Sequence, residues 1–547
     1  MLKIVMRDRI VYIFVFMTAL LQGQTTYFVD DLIGQDTNIG ISKAAPFKNI
    51  EKINQILLKP GDSVLFRRGG SWKGNFIPKG SGAKNKRIVF GAYGSGPIPI
   101  LDAAGSIANG ESVSYTIRFF NQEYLELRDL KIKNYAVSET PREYPIKNNA
   151  TYVYAPKMGI YIEGKDCGTL HDIQLINLEI CHVNGDMSTK DNGGVFVEIT
   201  RDKNVSQQRK SNFDGLYVEG CYIHNVDRTG WSNKSVWDRR SLNSSWGETL
   251  ANGKIHNWYP NTNVVFRNNR FEKAGANALI VRVAKSPLVE HCLFTYNGIK
   301  GSGNASFPFN CDNALFQYNE ASYTYYNSKA DSWDHKPDVD AGGFDSDWNC
   351  KNTIFQYNYS HHNGHGGILI CNDGASKTSF NDGTIIRYNI FEDNAHHIVR
   401  NSGTTTNIKI YNNVFFAGKA RDAVQLIYHK SWNGYPDNTE YKNNIFYSLG
   451  EGNMFEFTKS TSTTFQANTF FGDIINEPKD SAKSKLNPQF KSAMAAGTNW
   501  KAYLRFLLKG ESPDINKGVK IDGHPMIDFL GNPIQGNPDR GVFENID

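Results

Sequence analysis

The chain has 547 residues, of which 21% are charged and 13% aromatic, and its formal net charge is +5. That length allows one large domain or several ordinary ones. The charge balance is too weak to indicate a nucleic-acid partner, because no basic tract accompanies it.

The N-terminal stretch has the pattern of a secretory signal peptide. Three basic residues, Lys3, Arg7 and Arg9, precede an apolar run at Ile10–Leu21, and polar residues follow the run. The run is too short for a comfortable membrane span. We therefore predict a signal peptide at residues 1–23, a secreted or periplasmic protein, and no membrane span after signal removal. A membrane-anchored protein is the alternative.

Residues 24–110 are predicted to form an N-terminal cap and the first coils of a repetitive β-structure. Phe47–Leu58 places apolar residues at the spacing of a short amphipathic helix. Pro60 and Gly61 end that pattern, and Ser63–Phe66 has the composition of a strand. A helix laid over the open end of a solenoid would cover its unpaired strand edges.

Residues 111–475 carry a repeat in which two apolar residues flank an asparagine turn. The copy at Phe355–Ser360 reads FQYNYS. The turn position is occupied in successive copies by Asn269, Cys292, Asn319, Asn358, Asn389, Asn413, Asn444 and Asn468. The shortest interval between neighbouring copies is Asn269 to Cys292, and the longest is Asn319 to Asn358. A minimum interval of about two dozen residues, lengthened in some copies by insertions, predicts a parallel β-helix with stacked, structural asparagines at its turns.

Earlier copies of the repeat are weaker, and alternatives to the solenoid exist. The weak copies centre on Leu130, Leu178 and Cys221. The two intervals between Leu178 and Asn269 each fit either one coil with a large insertion or two coils. A β-propeller is the second choice of fold. It ranks below the β-helix because its blades would be longer and more evenly spaced than these copies.

The C-terminal segment, residues 476–547, lacks the repeat but carries recognisable short motifs. These are Leu486–Phe490 (LNPQF), Ser512–Gly518, Asp528–Pro533 and Asp539–Phe543. This segment and the opening TTYFVDD with LKPGDSVLFRRGGSW resemble secreted carbohydrate-active enzymes of the pectate-lyase-like superfamily. The resemblance covers nearly all of residues 25–545. It implies an all-β, single-domain, right-handed parallel β-helix with an N-terminal helical cap and long corner loops.

The same resemblance implies that substrate lies along one sheet, across several coils, but it does not fix the reaction. The superfamily includes polysaccharide lyases, glycoside hydrolases, epimerases and esterases. Function therefore has to be argued from particular side chains.

The densest polar chemistry lies in residues 340–374. Asp345 and Asp347 are two residues apart, so a strand would place both on one face and Phe344 and Ser346 on the other. Core packing does not explain two carboxylates on one face of a short apolar strand. A structural calcium site or turn capping is the alternative to a catalytic role.

Stacking the strand that follows each asparagine turn predicts a single polar groove. Coils stack about 4.8 Å apart, so side chains distant in sequence can meet on one substrate. The catalytic candidates are His365, His397, Arg400, Tyr428, Asp345 and Asp347. The candidates for substrate binding are Glu198, Arg282, His335, His361, His396, His429 and Lys430. The alignment also puts Asn372 on this face, although a slip of one residue would reverse the facing.

The first reaction that fits these residues is β-elimination from a uronic acid. The site would have to neutralise the carboxylate and the developing enolate, using Arg282, Arg400, a histidine, or a calcium held by Asp345 and Asp347. The residue types for base and acid are present in His365, His396, His397, Tyr428 and Lys430. A sugar on the C4 oxygen would make the enzyme a lyase, and a free hydroxyl would make it a dehydratase.

The second reaction is glycoside hydrolysis, which needs two carboxyl groups about 5–5.5 Å apart for retention or about 6.5–9.5 Å for inversion. The strand rise separates Asp345 and Asp347 by about 6.5 Å, which fits either class. The surrounding histidine, arginine and tyrosine residues favour elimination.

The sequence therefore predicts a monomeric enzyme that degrades an acidic polysaccharide or oligosaccharide. Elimination is preferred, hydrolysis is second, and a non-catalytic glycan-binding β-helix is third. Calcium is the one candidate metal, and no nucleotide-binding glycine loop or serine-nucleophile elbow indicates an organic cofactor.

Two further residue types carry weaker predictions. The seven cysteines are widely spaced with no CxxC pair, so we expect small buried core residues and neither required disulfides nor a zinc site. The interval from Cys221 to Asn269 is rich in aromatic residues, which either form a sugar platform or pack loops onto the barrel. They are Trp231, Trp237, Trp246, Trp258 and Tyr259.

Overall fold

The computed structural model describes residues 23–136, 156–240, 257–301, 303–326, 340–376, 378–492 and 501–546. The predicted signal peptide falls, apart from Gly23, outside these residues and stays a prediction. Within the described residues, no helix has the length and apolar character needed to cross a membrane.

Nearly all regular structure in the described residues is β-strand, arranged in three long parallel sheets. Sheet 1 contains Thr26–Val29, Ser63–Arg67, Ile88–Tyr93, Leu125–Arg128, Thr169–Ile176, Asn212–Glu219, Thr262–Arg267, Leu288–Glu290, Leu315–Gln317, Cys350–Lys351, Ile354–Gln356, Asn381–Asp382, Ile385–Arg387, Thr405–Tyr411, Asp437–Lys442 and Thr464–Gln466. Sheet 2 contains Ser71–Lys73, Ile100–Asp102, Lys131–Asn134, Glu179–Val183, Tyr222–Val226, Arg270–Ala274, Leu293–Thr295, Glu320–Ser322, Tyr359–His361, Ile390–Glu392, Val414–Ala417, Ile445–Ser448 and Thr469–Phe471. Sheet 3 contains Ser114–Phe120, Lys157–Lys165, Gly193–Thr200, Thr229–Ser235, Leu279–Arg282, Ser306–Phe309, Gly342–Ser346, Gly366–Asn372, His397–Gly403, Gln425–Lys430 and Met454–Phe457.

The remaining elements among the described residues are few and short. Asp238–Arg239 and Asn257–Trp258 form a small antiparallel pair. Ile50–Asn54 is a single turn of α-helix, and Val205–Gln207 and Ala502–Phe506 are 3₁₀ turns.

The register of sheet 1 repeats the spacing of the sequence motif. Phe316 pairs with Phe355, Phe355 with Ile386, and Ile386 with Ile410. Each partner lies three positions before the turn asparagine of its own copy, so the strands pair at the same intervals as the asparagines. The predicted all-β parallel β-helix is therefore confirmed.

The register also decides between the two interpretations of the long early intervals. Leu175 pairs directly with Val218, and Val218 pairs directly with Phe266. Each interval is therefore one coil with a large insertion.

A ladder of buried asparagines runs up the turn between sheets 1 and 2. The backbone N–H of Asn389 donates to Oδ1 of Asn413 at 2.9 Å, and that of Asn413 donates to Oδ1 of Asn444 at 3.0 Å. The Asn413 amide also donates to the carbonyl of Ile386, one coil earlier, at 2.9 Å. The left-handed conformation falls on the residue before each asparagine, such as Asn412 at φ 52°. The predicted stacked, structural role of these asparagines is thus confirmed through their amides, and the left-handed conformation belongs to the preceding residue.

The N-terminal helix is shorter than the predicted Phe47–Leu58. Its residues Ile50 and Ile53 are buried, and the neighbouring Lys48 carbonyl accepts a hydrogen bond from Nε1 of Trp72 at 2.8 Å. Trp72 belongs to Ser71–Lys73, the first strand of sheet 2. The helical turn therefore packs at the beginning of the solenoid.

The described part of the C-terminal segment packs against sheet 2 and the adjoining turns. The ring of Phe506 packs against that of Phe416 with centroids 5.2 Å apart, and the ring centroids of Phe529 and Tyr357 are 6.4 Å apart. Inside this segment Arg540 contacts the buried carboxylate of Asp514 at 3.3 Å. The outer face of sheet 3 lies on another side of the solenoid.

The ladder predicts a specific loss of stability for Asn413→Ala. The substitution leaves the N–H of Asn389 and the carbonyl of Ile386 without these partners, and buried unpaired groups cost about 1–3 kcal/mol each. We expect a lower urea midpoint and melting temperature. Asn537→Ala, at an exposed asparagine, is the matched control and should stay within about 0.5 kcal/mol. Equal effects of the two substitutions would contradict a structural role for the ladder.

Candidate active site

The outer face of sheet 3 brings side chains from successive coils into rows. Asp345 pairs with Leu369, Leu369 with Arg400, and Arg400 with Tyr428. Strand alternation then places Asp347 in the neighbouring row on the same face. Both carboxylates therefore point outward.

The residues between the two carboxylates point into the solenoid, as predicted. Phe344 is buried with its ring 5.8 Å from that of Phe355. Ser346 Oγ lies 2.9 Å from Thr384 Oγ1 in the interior. This inward packing fixes the strand and with it the direction of both aspartates.

A cleft of about 540 Å³ opens above the two carboxylates. Its lining consists of Lys190, Phe309, Asp340, Asp345, Asp347, Trp348, Leu369, Cys371, Arg400, Ser402, Lys430, Ser431 and Trp432. The rings of Trp348 and Trp432 lie 5.5 Å apart at an angle of 60° and form an aromatic wall. A concave site with aromatic walls and a few convergent polar groups suits a small organic ligand.

The two carboxylates lie close together at the base of this cleft. One oxygen of Asp345, one oxygen of Asp347 and Sγ of Cys371 are all within 4.8 Å of one another. Asn304 Nδ2 donates to Asp345 at 3.1 Å, and the backbone N–H of Trp348 donates to Asp347 at 2.8 Å. Each aspartate thus has its own donor in addition to the shared thiol.

The surroundings of the pair favour a single proton shared between two acids. Burial raises the pKa of Asp345 well above its usual value, and the charges of Asp347 and Asp340 raise it further. Burial also raises the pKa of Asp347, but the ammonium of Lys190 and the N–H of Trp348 oppose that rise. These opposing influences favour protonation of Asp345 over Asp347.

Three cations stand around the carboxylates. Arg400 Nη2 lies 3.9 Å from Oδ1 of Asp340, and the charge of Lys190 acts on Asp347. Burial lowers the pKa of Lys430, and the positive charge of Arg400 lowers it further. Sequence reasoning placed Asp345, Asp347, Arg400 and Lys430 on one face, and the cleft contains all four.

The predicted histidines form a separate cluster beside the cleft. The ring of His365 lies 4.5 Å from that of His397 and 4.9 Å from that of His396, and Tyr326 packs against it at 4.7 Å. Burial lowers the pKa of His397 well below its usual value, so this imidazole is neutral. None of the described residues that line the cleft is a histidine.

Tyr428 completes the row of Arg400 without lining the cleft. Its ring lies 6.2 Å from that of His397. Burial raises the pKa of its hydroxyl, and the charge of Glu456 adds to that rise. Tyr428 therefore lies between the cleft and the histidine cluster.

Three predicted facings are wrong. His429 lies between Tyr428 and Lys430, so alternation turns it inward, where Nε2 is 2.8 Å from the hydroxyl of Tyr441. His361 belongs to sheet 2, with Nε2 3.2 Å from Oε1 of Glu320. Asn372 is buried inside the solenoid.

Two other predicted residues lie on the correct face but beyond the cleft. Arg282 is two coils from Asp347 in the same row, and 3.7 Å from Asp191. Glu198 is four coils away and accepts a hydrogen bond from the hydroxyl of Tyr161. His335 lies outside the described residues.

Sequence reasoning missed several residues that line the cleft. Cys371 was expected in the core, yet its Sγ is 3.4 Å from Asp347, because the stacking of this strand was taken one residue out of phase. Trp432 lies two residues after Lys430, so strand alternation could have placed both side chains on the same face. Lys190 comes from a loop before Gly193–Thr200, and no periodicity could have found it.

The described tryptophans between Cys221 and Asn269 are not exposed as a sugar platform. Trp231, Trp237 and Trp258 are buried, and the guanidinium of Arg240 lies 3.9 Å from the ring of Trp258. Trp246 lies outside the described residues. Trp231 packs inside the solenoid with its ring 5.0 Å from that of Phe266, whereas Trp348 and Trp432 lie beside the carboxylates.

The donor set of the cleft does not suit calcium. Calcium prefers six to eight oxygen ligands, whereas the cluster offers two carboxylates and the thiol of Cys371. The ammonium of Lys190 acts directly on Asp347. All seven cysteines are free thiols.

Comparison with known proteins supports the fold. No family model matches the chain. A curated lacto-N-biosidase of Bifidobacterium longum subsp. longum is 24% identical over 608 aligned positions, which cover 95% of this chain and 36% of the relative. The chain thus spans about a third of that protein.

Solved structures give the same result. The native GH136 lacto-N-biosidase of Eubacterium ramulus is 22% identical with a TM-score of 0.54, covering 71% of this chain and 64% of that one. Its selenomethionine form has a TM-score of 0.56, covering 75% and 68%. The parallel β-helix implied by the sequence resemblance is therefore shared with a carbohydrate-active enzyme.

The inward position of His429 predicts a pH effect on stability. Burial lowers the pKa of His429 to about 3, against 6.5 for a free histidine. Below pH 6.5 the unfolded chain binds a proton that the folded chain excludes, so this residue lowers stability by about 1.4 kcal/mol per pH unit as the pH falls. His429→Gln should flatten the dependence of the unfolding midpoint on pH between 6.5 and 4.

A matched control separates this effect from other titrations. Tyr441→Phe keeps the histidine and removes the hydroxyl 2.8 Å from its Nε2, so the slope should persist. Identical slopes for wild type and His429→Gln would show that His429 is not buried in its neutral form.

Proposed function

We propose that this protein is a retaining glycoside hydrolase. The observation that carries the proposal is the approach of Asp345 and Asp347, with carboxylate oxygens within 4.8 Å at the base of a cleft. Retaining glycosidases hold their two carboxyl groups about 5–5.5 Å apart, and inverting enzymes need about 6.5–9.5 Å to admit water. The oxygens of this pair approach closely enough for the retaining arrangement.

Asp347 is the nucleophile in this proposal. Its charge is opposed by Lys190, and the Trp348 N–H at 2.8 Å stabilises the ionised form. An ionised carboxylate can attack the anomeric carbon and form a covalent glycosyl ester as the glycosidic bond breaks.

Asp345 is the acid and then the base. Burial and the charges of Asp347 and Asp340 keep it protonated, so it can give its proton to the departing glycosidic oxygen. Forming the ester removes the charge of Asp347, which lowers the pKa of Asp345 and prepares it to accept a proton from water. That water then cleaves the ester and releases the sugar with retained configuration.

The substrate is proposed to be an oligosaccharide whose rings pack against Trp348 and Trp432. The similar proteins named above are lacto-N-biosidases. Lacto-N-biose is therefore the first glycone to test. Because the chain matches only part of the length of those proteins, a broader panel of glycans is needed.

A second candidate is β-elimination on an acidic polysaccharide. Lys190, Arg400 and Lys430 at the cleft favour it, since they could neutralise a uronate. However, the neutral imidazole of His397 lies outside the lining, and the charge of Asp347 would repel a uronate at the reacting position. Hydrolysis therefore fits the geometry better.

The products distinguish hydrolysis from elimination. We expect aryl lacto-N-bioside or other oligosaccharides of the panel to release new reducing ends without absorbance from an unsaturated uronate. Alginate, pectin, ulvan and glycosaminoglycan fragments test the alternative. An unsaturated product from any of these would replace the hydrolase by a lyase, and glycan retention without turnover would indicate a binding module.

Azide rescue tests the two carboxylate roles. Asp347→Ala and Asp345→Ala should each lower kcat on an unactivated substrate by about 10²–10⁴-fold. With an activated aryl glycoside, azide should restore Asp347→Ala and give a glycosyl azide of inverted configuration. Azide should restore Asp345→Ala by attacking the covalent intermediate, which gives the retained configuration. Nuclear magnetic resonance of the glycosyl azides identifies each configuration.

Asp340→Ala is the matched carboxylate variant, because Asp340 lines the same cleft but its side chain is 42% exposed. We expect a smaller loss of activity and no azide product. A retained glycosyl azide from Asp340→Ala, and none from Asp345→Ala, would transfer the acid–base role to Asp340.

A further inference from the structure

The charged groups of the cleft are unevenly distributed. Its described lining contains three carboxyl groups, on Asp340, Asp345 and Asp347, and three cations, on Lys190, Arg400 and Lys430. Asp345 and Asp347 lie together at the base of the cleft, whereas Lys430 lies three coils further along the row of Asp347. The carboxylate pair is therefore distant from Lys430.

Lys430 is the cation of this described set without a carboxylate beside it. Lys190 is opposed by Asp347 and Asp340, and Arg400 lies 3.9 Å from Asp340. Among the described residues, no carboxylate lies within 4.0 Å of the Lys430 ammonium. The charge that acts on Lys430 is the positive charge of Arg400. A half-buried cation beside a second cation and without a counter-ion is suited to bind an anion.

A hydroxyl next to Lys430 also lacks a hydrogen-bond partner. Ser402 pairs with Lys430 in the sheet and lines the cleft, and only 2% of it is exposed. Within the described part of the chain, its buried Oγ makes no hydrogen bond. Leaving such a buried group unpaired is unfavourable, so a ligand that accepts a hydrogen bond from it would be stabilised.

We propose that Arg400, Ser402 and Lys430 form a subsite for an anionic substituent of the glycan, either the carboxylate of an acidic sugar or a sulfate ester. The inference rests on the proposed function, because the anion is carried by the glycan that Asp345 and Asp347 cleave. Guanidinium, hydroxyl and ammonium donors together match the oxygens of either group.

The subsite lies away from the bond that is cleaved. Asp347, Cys371, Ser402 and Lys430 occupy consecutive coils of one row, so three strand spacings, or about 14 Å, separate the first and last backbone positions. The anion therefore belongs to a sugar beyond the one at the carboxylates. This placement keeps it away from the charge of Asp347, which would repel it.

Selectivity between matched substrates tests the subsite. The experiment compares kcat/KM for one oligosaccharide in three forms, with a neutral, a carboxylated and a sulfated terminal sugar. We expect wild type to prefer an anionic form. Lys430→Gln should lower the ratio of anionic to neutral kcat/KM by about 10- to 100-fold, because it removes a charged hydrogen bond. Lys430→Arg should restore part of the ratio, and Ser402→Ala should lower it less.

Lys459→Gln is the matched control, since it removes the same charge from an exposed lysine on the next coil whose ammonium lies over the ring of Tyr435. It should leave the ratio unchanged. A preference for the carboxylated or the sulfated form would each support the subsite and identify its ligand.

Failure of this inference can be distinguished from failure of the proposed function. If wild type cleaves neutral and anionic forms equally and Lys430→Gln leaves the ratio unchanged, the subsite is wrong and the hydrolase stands. If wild type cleaves no glycan, but calorimetry shows that the anionic oligosaccharides bind and that Lys430→Gln weakens them, the hydrolase is wrong and the anion subsite stands.

Discussion

The structure depends on one constraint, the in-register stacking of parallel strands about 4.8 Å apart. In sheet 3 each strand pairs with the equivalent strand of the next coil. This pairing determines both the row in which a side chain lies and the face on which it points. Asp345 and Arg400 meet across a cleft although they lie far apart in the sequence. The asparagine ladder holds this register, since each buried amide bonds the coils on both sides.

The same constraint explains the unusual charge state of the cleft. Alternation forces Asp345 and Asp347 onto one face, and the walls of the cleft remove them from water, so burial raises the pKa of both. Lys190 and the Trp348 N–H oppose that rise for Asp347. In the proposed hydrolase, this difference would provide an acid and a nucleophile from two identical side chains.

Periodicity was sufficient to predict the solenoid and much of its polar face. The spacing of the asparagine turns matched the register of sheet 1 residue by residue, and the stacked strands placed Asp345, Asp347 and Arg400 together. The prediction failed for residues whose neighbours in the strand face the opposite way. It placed Asn372 outward and Cys371 in the core, and it placed His429 in the groove. A shift of one residue in the alignment reverses the facing of a side chain, which explains these errors. Lys190 lies in a loop, which carries no period at all. The choice between elimination and hydrolysis depends on the distances between side-chain atoms, which an alignment of coils by sequence does not give.

Coil stacking also fixes the distances between residues of one row. The row from Asp347 to Lys430 advances by one inter-strand step per coil, whatever the length of the loops between them. Lengthening a corner loop leaves that span unchanged, and gaining or losing a whole coil alters it by about 4.8 Å while each side chain keeps its orientation. In such a solenoid, the distance between two sites in one row can therefore change only in fixed increments.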